Sequence, residues 1–328
     1  MAQVCVIGSN SFSGASFCAY LLGRGIDVLA LSRSVQPSNV FLPYTWQSYD
    51  ASIRTEQVDL NHDLDRLLSL LNRCKPSFIV NFAAQSMVAE SWENPADWMT
   101  TNVVSLARFA ERLRHLDFLE RYVHVTTPEV YGSTSGWVTE HAVINPSTPY
   151  AVSRAAGDML MKIYQEMCDL PVVSTRAANV FGPGQPLYRI IPRTIFSVLT
   201  DRRLQLHGGG MSSRSFIHID DVCEATWKVA NEAPIGETYH ISTDKIITIR
   251  ELVEMLCEML DVRFEETVQS SSERMGKDEA YWLNSEKLRQ LGWVDRIPLE
   301  AGLASVIAWV RRELQSLSQA PYDYMHKP

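Results

Sequence analysis

Tyr150 and Arg154 stand four residues apart in Pro146-Ser147-Thr148-Pro149-Tyr150-Ala151-Val152-Ser153-Arg154, downstream of Thr127-Pro128-Glu129-Val130-Tyr131-Gly132. On a helix that spacing puts a phenol and a permanent cation on one face. The positive charge there favours phenolate and draws the phenol pKa down from about 10. Such a group can take a proton from a hydroxyl while hydride leaves the same carbon. Alone, the pair reads as an ordinary surface Tyr and Arg. The two stretches together bring a phenol, a cation, a hydroxyl and a carboxylate within reach of one site.

A fold must carry these groups, and the first residues read as a strand, a tight turn and a helix. Gln3-Val4-Cys5-Val6-Ile7 is a short β-rich run, Gly8 to Gly14 a turn of small residues, and Ala15 to Arg24 has helical apolar spacing closed by Gly25. In a dinucleotide site the first glycine permits the turn, a small middle residue admits the pyrophosphate, and the last lets helix and strand pack closely. Gly8, Ser11, Phe12 and Gly14 are the candidates here, with Ser11 where a glycine is usual. Asp27 to Leu31 is a second strand, ending in Ser32-Arg33-Ser34 where an acidic residue would hold the 2′-hydroxyl of NAD. Arg33 and two hydroxyls suit a 2′-phosphate better, which favours NADP over NAD; Arg33 also reads as a loop residue stacked on adenine. Asp59 and Leu60 are expected beside the adenine. Phe78 to Ser86 is a buried strand running into small residues, which puts Ala83, Ala84 and Gln85 near the nicotinamide. Asn102, within a helix expected over roughly residues 95 to 114, reads either as touching the site or as satisfied by packing.

The chain has 328 residues, 46% hydrophobic and 21% charged, enough for one large domain with an appended lobe. A net charge of −8 disfavours a nucleic-acid partner. Six scattered cysteines show no zinc or C-x-x-C spacing, so no metal is expected. Met1 to Ile7 is too short an apolar run for a signal peptide, and no run is long enough to span a membrane. A cytoplasmic protein with reduced thiols is the expectation.

Taken in order, these motifs resemble the extended short-chain dehydrogenase/reductase family, in its nucleotide-sugar 4,6-dehydratase and epimerase branch. The matching stretches include Gly8 to Gly14, Thr126 to Gly132, Tyr150 to Arg154, Asn179 to Gln185, Arg189 to Arg193 and Arg214 to Val222. Ala83-Ala84-Gln85-Ser86 and Ser91-Trp92-Glu93-Asn94-Pro95 are most similar to GDP-mannose 4,6-dehydratases. The resemblance implies an α/β chain: a Rossmann doubly wound parallel sheet and a smaller α/β C-terminal lobe. Residues 1–170 would form the NAD(P)-binding domain and 171–328 mainly the substrate lobe, with the chain crossing back. The implied substrate is a nucleoside-diphosphate hexose, with GDP tilted towards.

The activity that the resemblance implies is oxidation at C4, loss of water across C5 and C6, and return of hydride to C6. Tyr150 would be the base at O4, Thr127 its hydrogen-bonding partner, Glu129 the base at C5, and Arg154 would hold the nicotinamide ribose. Asn179, Arg189, Arg214 and Gln85 would bind substrate, the arginines meeting the diphosphate. Two departures stand out. Pro128 replaces an acidic or hydroxyl residue and donates nothing, so Glu129 either serves as base and then acid, or the reaction is 4-epimerisation. Arg154 replaces the usual lysine. A non-catalytic NAD(P)-binding regulator is the reading from another class. Trp92, Trp98 and Met99, and Met159, Ile163 and Met167, read from their spacing as core. The resemblance places the two helices that carry them in a homodimer interface. His207 and His218 read as packed or loop residues.

Overall fold

Val4–Ile7 is buried along its whole length, and a strand apolar on both faces belongs in a parallel sheet covered on both sides. The computed structural model of the chain, which describes residues 3–271 and 282–327, shows that sheet. Its seven strands are β1 (Val4–Ile7), β2 (Val28–Ser32), β3 (Ile53–Gln57), β4 (Phe78–Asn81), β5 (Arg121–Thr126), β6 (Val172–Ala177) and β7 (Thr238–Ile241). All pair in parallel, in the spatial order β7-β6-β5-β4-β1-β2-β3. The order reverses at β1, and the crevice beyond the carboxyl ends of strands at such a point is where ligands bind in open α/β sheets.

Alternation along β1 divides the core. Val4 and Val6 pack with Phe17, Leu21 and Val222 under helices Phe12–Leu22 and Ile219–Glu232. Cys5 and Ile7 pack with Leu67, Phe109 and Met161 under Leu64–Cys74, Leu106–Leu113 and Pro149–Cys168. A third cluster sits outside the sheet, where Phe181, Ile191, Phe216, Leu252 and Leu303 join helices Ile190–Leu199, Ile249–Met259 and Leu299–Arg312. These helices flank a three-stranded sheet of Asn179–Phe181, Ser213–His218 and Ile246–Thr248. No helix of the described residues is long and apolar enough to cross a membrane.

Three local expectations are corrected. The first helix begins at Phe12 rather than Ala15, because Ser11 caps it. The helix expected over residues 95 to 114 is broken into Pro95–Met99, a π-helical stretch Thr100–Ser105, and Leu106–Leu113. Asn102 lies in that stretch and is held sideways: its Oδ1 accepts from the Gln85 backbone N–H (2.9 Å), and its Nδ2 donates to the Gln85 carbonyl (3.0 Å) and to Ser153 Oγ (2.9 Å). Trp98 is buried as expected, but Trp92, Met159, Ile163 and Met167 are exposed and belong to no core cluster among the described residues. Their helical spacing marks an apolar face correctly and says nothing of what covers it.

Helix Pro149–Cys168 docks on the sheet through buried charge. Asp158 accepts from Arg176 Nη2 on β6 (2.7 Å) and from His124 Nε2 on β5 (3.2 Å). Burial alone would raise the Asp158 carboxyl, but the hydrogen bond from His124 and the charge of Arg176 outweigh it and pull the group down to about 2. Arg176 Nη1 also donates to the Tyr131 hydroxyl. Tyr131 in turn donates to His240 Nε2 on β7 (2.8 Å), and His240 Nδ1 donates to the Asn284 carbonyl (3.1 Å). This assignment of donors leaves the imidazole of His240 neutral, with its one N–H on Nδ1. Burial, reinforced by the charge of Arg176, lowers His240 to about 3. Burial lowers His124 too, against the pull of Asp158.

Two outcomes follow from this network. Replacing Asp158 by Asn leaves Arg176 buried without its counter-ion and should cost roughly 3–5 kcal/mol in urea unfolding, more than an Asp158→Leu, Arg176→Met double variant costs. Acid should also weaken the fold. An unfolded histidine takes up its proton near 6.5, so the contribution of His240 is complete above that pH and is lost as pH falls towards 3. From His240 alone, stability at about pH 5 should be roughly 2 kcal/mol below its neutral value. Urea unfolding across that range should show the slope flattened in His240→Gln.

Candidate active site

The turn after β1 is built for close approach. Gly8 has φ +83, and a Cβ there would lie 2.7 Å from the Ala83 backbone nitrogen; a Cβ on Gly14 would lie 2.3 Å from the Gly8 carbonyl oxygen. Ser11, standing where a glycine is usual, caps the helix: its Oγ donates to the Gly8 carbonyl (2.7 Å) and accepts from the Gly14 N–H (3.1 Å). Phe12 is the first helical residue. Helix N–H groups therefore point at the crevice, a setting that favours a phosphate.

Above the turn lies a cavity of about 380 Å³ whose lining includes Gly8, Ser11, Arg33, Asp59, Leu60, Ala83 and Ala84. The structure thus brings together most of the dinucleotide candidates named from sequence. The glycine cradle, the helix N-terminus and the apolar walls fit a dinucleotide. Asp59 is partly engaged locally, its Oδ1 accepting from the Asn61 N–H (2.8 Å). Arg33 Nη2 and Gln85 Nε2 both donate to the Lys327 carbonyl, at 2.8 and 2.6 Å. Sequence reading gave no sign of that second wall, because residues 321–327 carry no periodicity.

The catalytic candidates converge where β5 ends against the start of helix Pro149–Cys168. Thr127 caps a short 3₁₀ turn, Pro128–Tyr131, its side chain accepting from the Glu129 N–H (3.3 Å). Pro128 takes the first position of that turn, where a missing N–H is no loss, which accounts for a proline at this point. Tyr131, at the end of the same turn, is tied to Arg176 and His240, so the carboxylate of Glu129 sits on an anchored segment. On the facing helix, Thr148 caps the first turn through the Ala151 N–H (3.1 Å), and the Tyr150 N–H donates to Ser91 Oγ (3.2 Å). Ser91 is a positioning residue whose role the sequence did not disclose.

The Tyr150 phenol faces the Thr127 hydroxyl and lies in the fields of Glu129, Arg154 and Arg189. Burial raises its pKa and the Glu129 carboxylate raises it further; Arg154, Thr127 and Arg189 act the other way and do not prevail. The net direction opposes the lowering that Arg154 alone would give. Arg154 is itself buried, with Nη2 donating to the Val125 carbonyl and Nε without a hydrogen-bond partner among the described residues. Arg189 precedes helix Ile190–Leu199 and is exposed, its guanidinium 5.5 Å from the ring centre of Tyr188. Asn179 and Arg214 lie on adjacent strands of the small sheet, Asn179 in register with Phe216. Arg214 is buried and donates to the Ser213 carbonyl (2.8 Å). His218 caps helix Ile219–Glu232 from a buried position, a packing role.

Known proteins of this architecture match along nearly the whole chain. The family model described as GDP-mannose 4,6 dehydratase matches residues 5–306. A dTDP-glucose 4,6-dehydratase of Xanthomonas campestris pv. campestris is 29% identical, over 94% of this chain and 93% of that protein. The trifunctional UDP-glucose 4,6-dehydratase/UDP-4-keto-6-deoxy-D-glucose 3,5-epimerase/UDP-4-keto-L-rhamnose-reductase RHM1 of Arabidopsis thaliana is 31% identical over 70% of this chain; the chain spans 35% of that protein's length. Among solved structures, DesIV of Streptomyces venezuelae, a dTDP-glucose 4,6-dehydratase with NAD and TYD bound, superposes with a TM-score of 0.88. It is 30% identical, over 95% of this chain and 98% of that one. With its sheet order, its glycine turn and a family match reaching from β1 into the last long helix, the chain belongs to the GDP-mannose 4,6-dehydratase family.

Proposed function

We propose that the protein is an NAD-dependent nucleotide-sugar 4,6-dehydratase, converting a nucleoside-diphosphate hexose to its 4-keto-6-deoxy derivative with loss of water. The observation that carries this is the cluster of Thr127, Glu129 and Tyr150 on two anchored elements at the carboxyl end of β5, which neighbours β4 in the sheet whose edge holds the crevice. The bound dinucleotide supplies hydride transfer, from C4 of the hexose and later back to C6. Tyr150 takes the O4 proton, with Thr127 holding the same oxygen through its hydroxyl. A ketone at C4 makes the C5 proton acidic, and Glu129 removes it. Pro128 has nothing to donate, so Glu129 passes that proton to the departing C6 oxygen, which leaves as water. Glu129, reprotonated from solvent, then protonates C5 as hydride reaches C6, and Tyr150 releases its proton. Protons and electrons balance with one water formed.

Arg154 and Gln85 would meet the dinucleotide, and Arg189, Arg214 and Asn179 the diphosphate and sugar. Gly8, Ser11, Phe12 and Gly14 shape the pyrophosphate turn, with Asp59, Leu60, Ala83 and Ala84 along the cleft. On the dinucleotide, the reading moves from NADP to NAD. Pairing with a 2′-phosphate would draw Arg33 away from the Lys327 carbonyl, and DesIV carries NAD. For the nucleobase, the family description names GDP, whereas the relatives' names carry UDP and dTDP. The exposed stripe of Val152, Met159, Ile163 and Met167 supports a homodimer through this helix. Pro128 favours a second reading, 4-epimerisation, which needs no proton donor for a leaving hydroxyl.

Incubation with GDP-, UDP-, dTDP- and CDP-hexoses, followed by mass spectrometry, should show loss of water; unchanged mass with altered stereochemistry would establish the epimerase instead. Glu129→Gln should cut water loss by roughly a hundredfold or more while dinucleotide binding persists. The same change removes a charge that raises Tyr150, so the pH at which C4 oxidation sets in should move down. Full dehydration by the variant would remove Glu129 from the mechanism. Calorimetric titration should show NAD binding more tightly than NADP.

A further inference from the structure

The segment Pro321–Lys327 crosses the crevice from one side to the other. It starts on helix Ile190–Leu199, where Tyr322 shares a hydrogen bond with Ser197 (2.7 Å between hydroxyls) and lies under Arg193, whose guanidinium is 4.0 Å from the ring centre. Arg193 also pairs with Asp323 (2.7 Å). Midway, Tyr324 meets Tyr188 edge to face at 5.4 Å. The segment then lands on the opposite bank: His326 stacks on the buried Trp98 at 5.0 Å and pairs with Asp97 at 2.7 Å. Beyond it the Lys327 carbonyl accepts from both Arg33 and Gln85. Arg33 follows β2 and Gln85 follows β4, the two strands flanking β1. One carbonyl bound from both sides therefore lies directly across the switch point of the sheet.

The segment covers the crevice without filling it. The cavity of about 380 Å³ remains beneath, with Gly8, Ser11 and Ala83 on its floor and Pro321, Tyr324 and Met325 on the other side. The contacts that close it are the Arg193 pair with a mostly exposed Asp323, the His326–Asp97 pair, ring contacts, the Tyr322–Ser197 hydrogen bond and hydrogen bonds to one carbonyl; no helix or strand pairing among the described residues ties the segment down, so it can open locally. We propose that Pro321–Lys327 is a hinged strap that closes over bound dinucleotide and sets the rate at which it exchanges. This rests on the crevice being the dinucleotide site. The chemistry suits such a device, since the dehydratase cycle returns its dinucleotide unchanged and has no call to release it at each turnover. A strap can slow dissociation there without slowing catalysis.

The experiment uses the full chain loaded with NADH and chased with excess NAD, the release being followed by nucleotide fluorescence in a stopped flow. Tyr324→Ala with His326→Ala removes the middle and far anchors. Release should be at least about tenfold faster than from the unaltered chain. Release within about twofold of the unaltered chain overturns the strap, as does tighter binding by the variant, which would make the segment a competitor. If the unaltered chain binds no dinucleotide, the crevice assignment itself fails; normal binding with unaltered release defeats the strap alone. Should the variant not fold, hydrogen exchange of residues 321–327 in the unaltered chain decides: protection that rises on NADH binding supports the strap, and protection that does not change overturns it.

Discussion

The ion pair between Asp158 and Arg176 is the interaction on which the placement of the candidate catalytic groups depends. Both partners are almost wholly buried, so each charge would be costly without the other. Asp158 is on the helix that carries Tyr150 and Arg154; Arg176 is on β6 and reaches the hydroxyl of Tyr131, which ends the turn carrying Glu129. One guanidinium thus fixes the distance between two catalytic segments by holding a third point between them. Replacing the pair with apolar residues would fill the space but lose direction, since only a forked cation can hold a carboxylate and a phenol in fixed geometry.

Close approach of backbone supplies the second constraint. Gly157, on the face of the Tyr150 helix turned to Asn102, leaves room for the Asn102 carbonyl 3.0 Å from where a Cβ would stand. That proximity lets Asn102 clasp both backbone groups of Gln85 and the Ser153 hydroxyl, joining the loop after β4 to the catalytic helix. The π-helical stretch around Asn102 is the local irregularity that makes the clasp possible. Departures of this kind from regular helix recur at functional sites.

How far the site could be read from the sequence follows the range of the interactions that build it. The glycine turn and the Tyr150 and Thr127 segments are local patterns. Strand, turn and helix periodicity place them at the carboxyl edge of a parallel sheet, where the structure brings them together. Asp158, Arg176, His124 and His240 were invisible, because nothing in a linear string says which strands are neighbours or that a charge is buried. The π-helical break escaped for the same reason: residues 95 to 114 keep helical spacing, and the cause lies in Gln85 and Ser153. Exposure of Met159, Ile163 and Met167 is the converse case, since periodicity finds an apolar face but not what covers it. Residues 321–327 have neither period nor motif, and their place over the crevice comes only from contacts with Asp97, Trp98, Arg33 and Gln85.

The same burial that organises the cluster decides its charge. Tyr150 is raised by desolvation first and by Glu129 second, so a phenolate and a carboxylate compete for one pocket. Fewer phenols are ionised at rest, but those that ionise are stronger bases for the O4 proton. In the proposed mechanism, once Tyr150 has taken that proton its charge is gone, and Glu129 is left as the lone anion, facing the C5 proton that a C4 ketone has just made acidic. In that scheme the substrate orders the steps, since C5 holds its proton until the C4 ketone forms; the repulsion makes each group a stronger base while both are charged and is relieved once the phenolate is neutralised. Pro128 adds no ionisable group to the pocket, so in that scheme Glu129 alone serves both C5 and the departing oxygen.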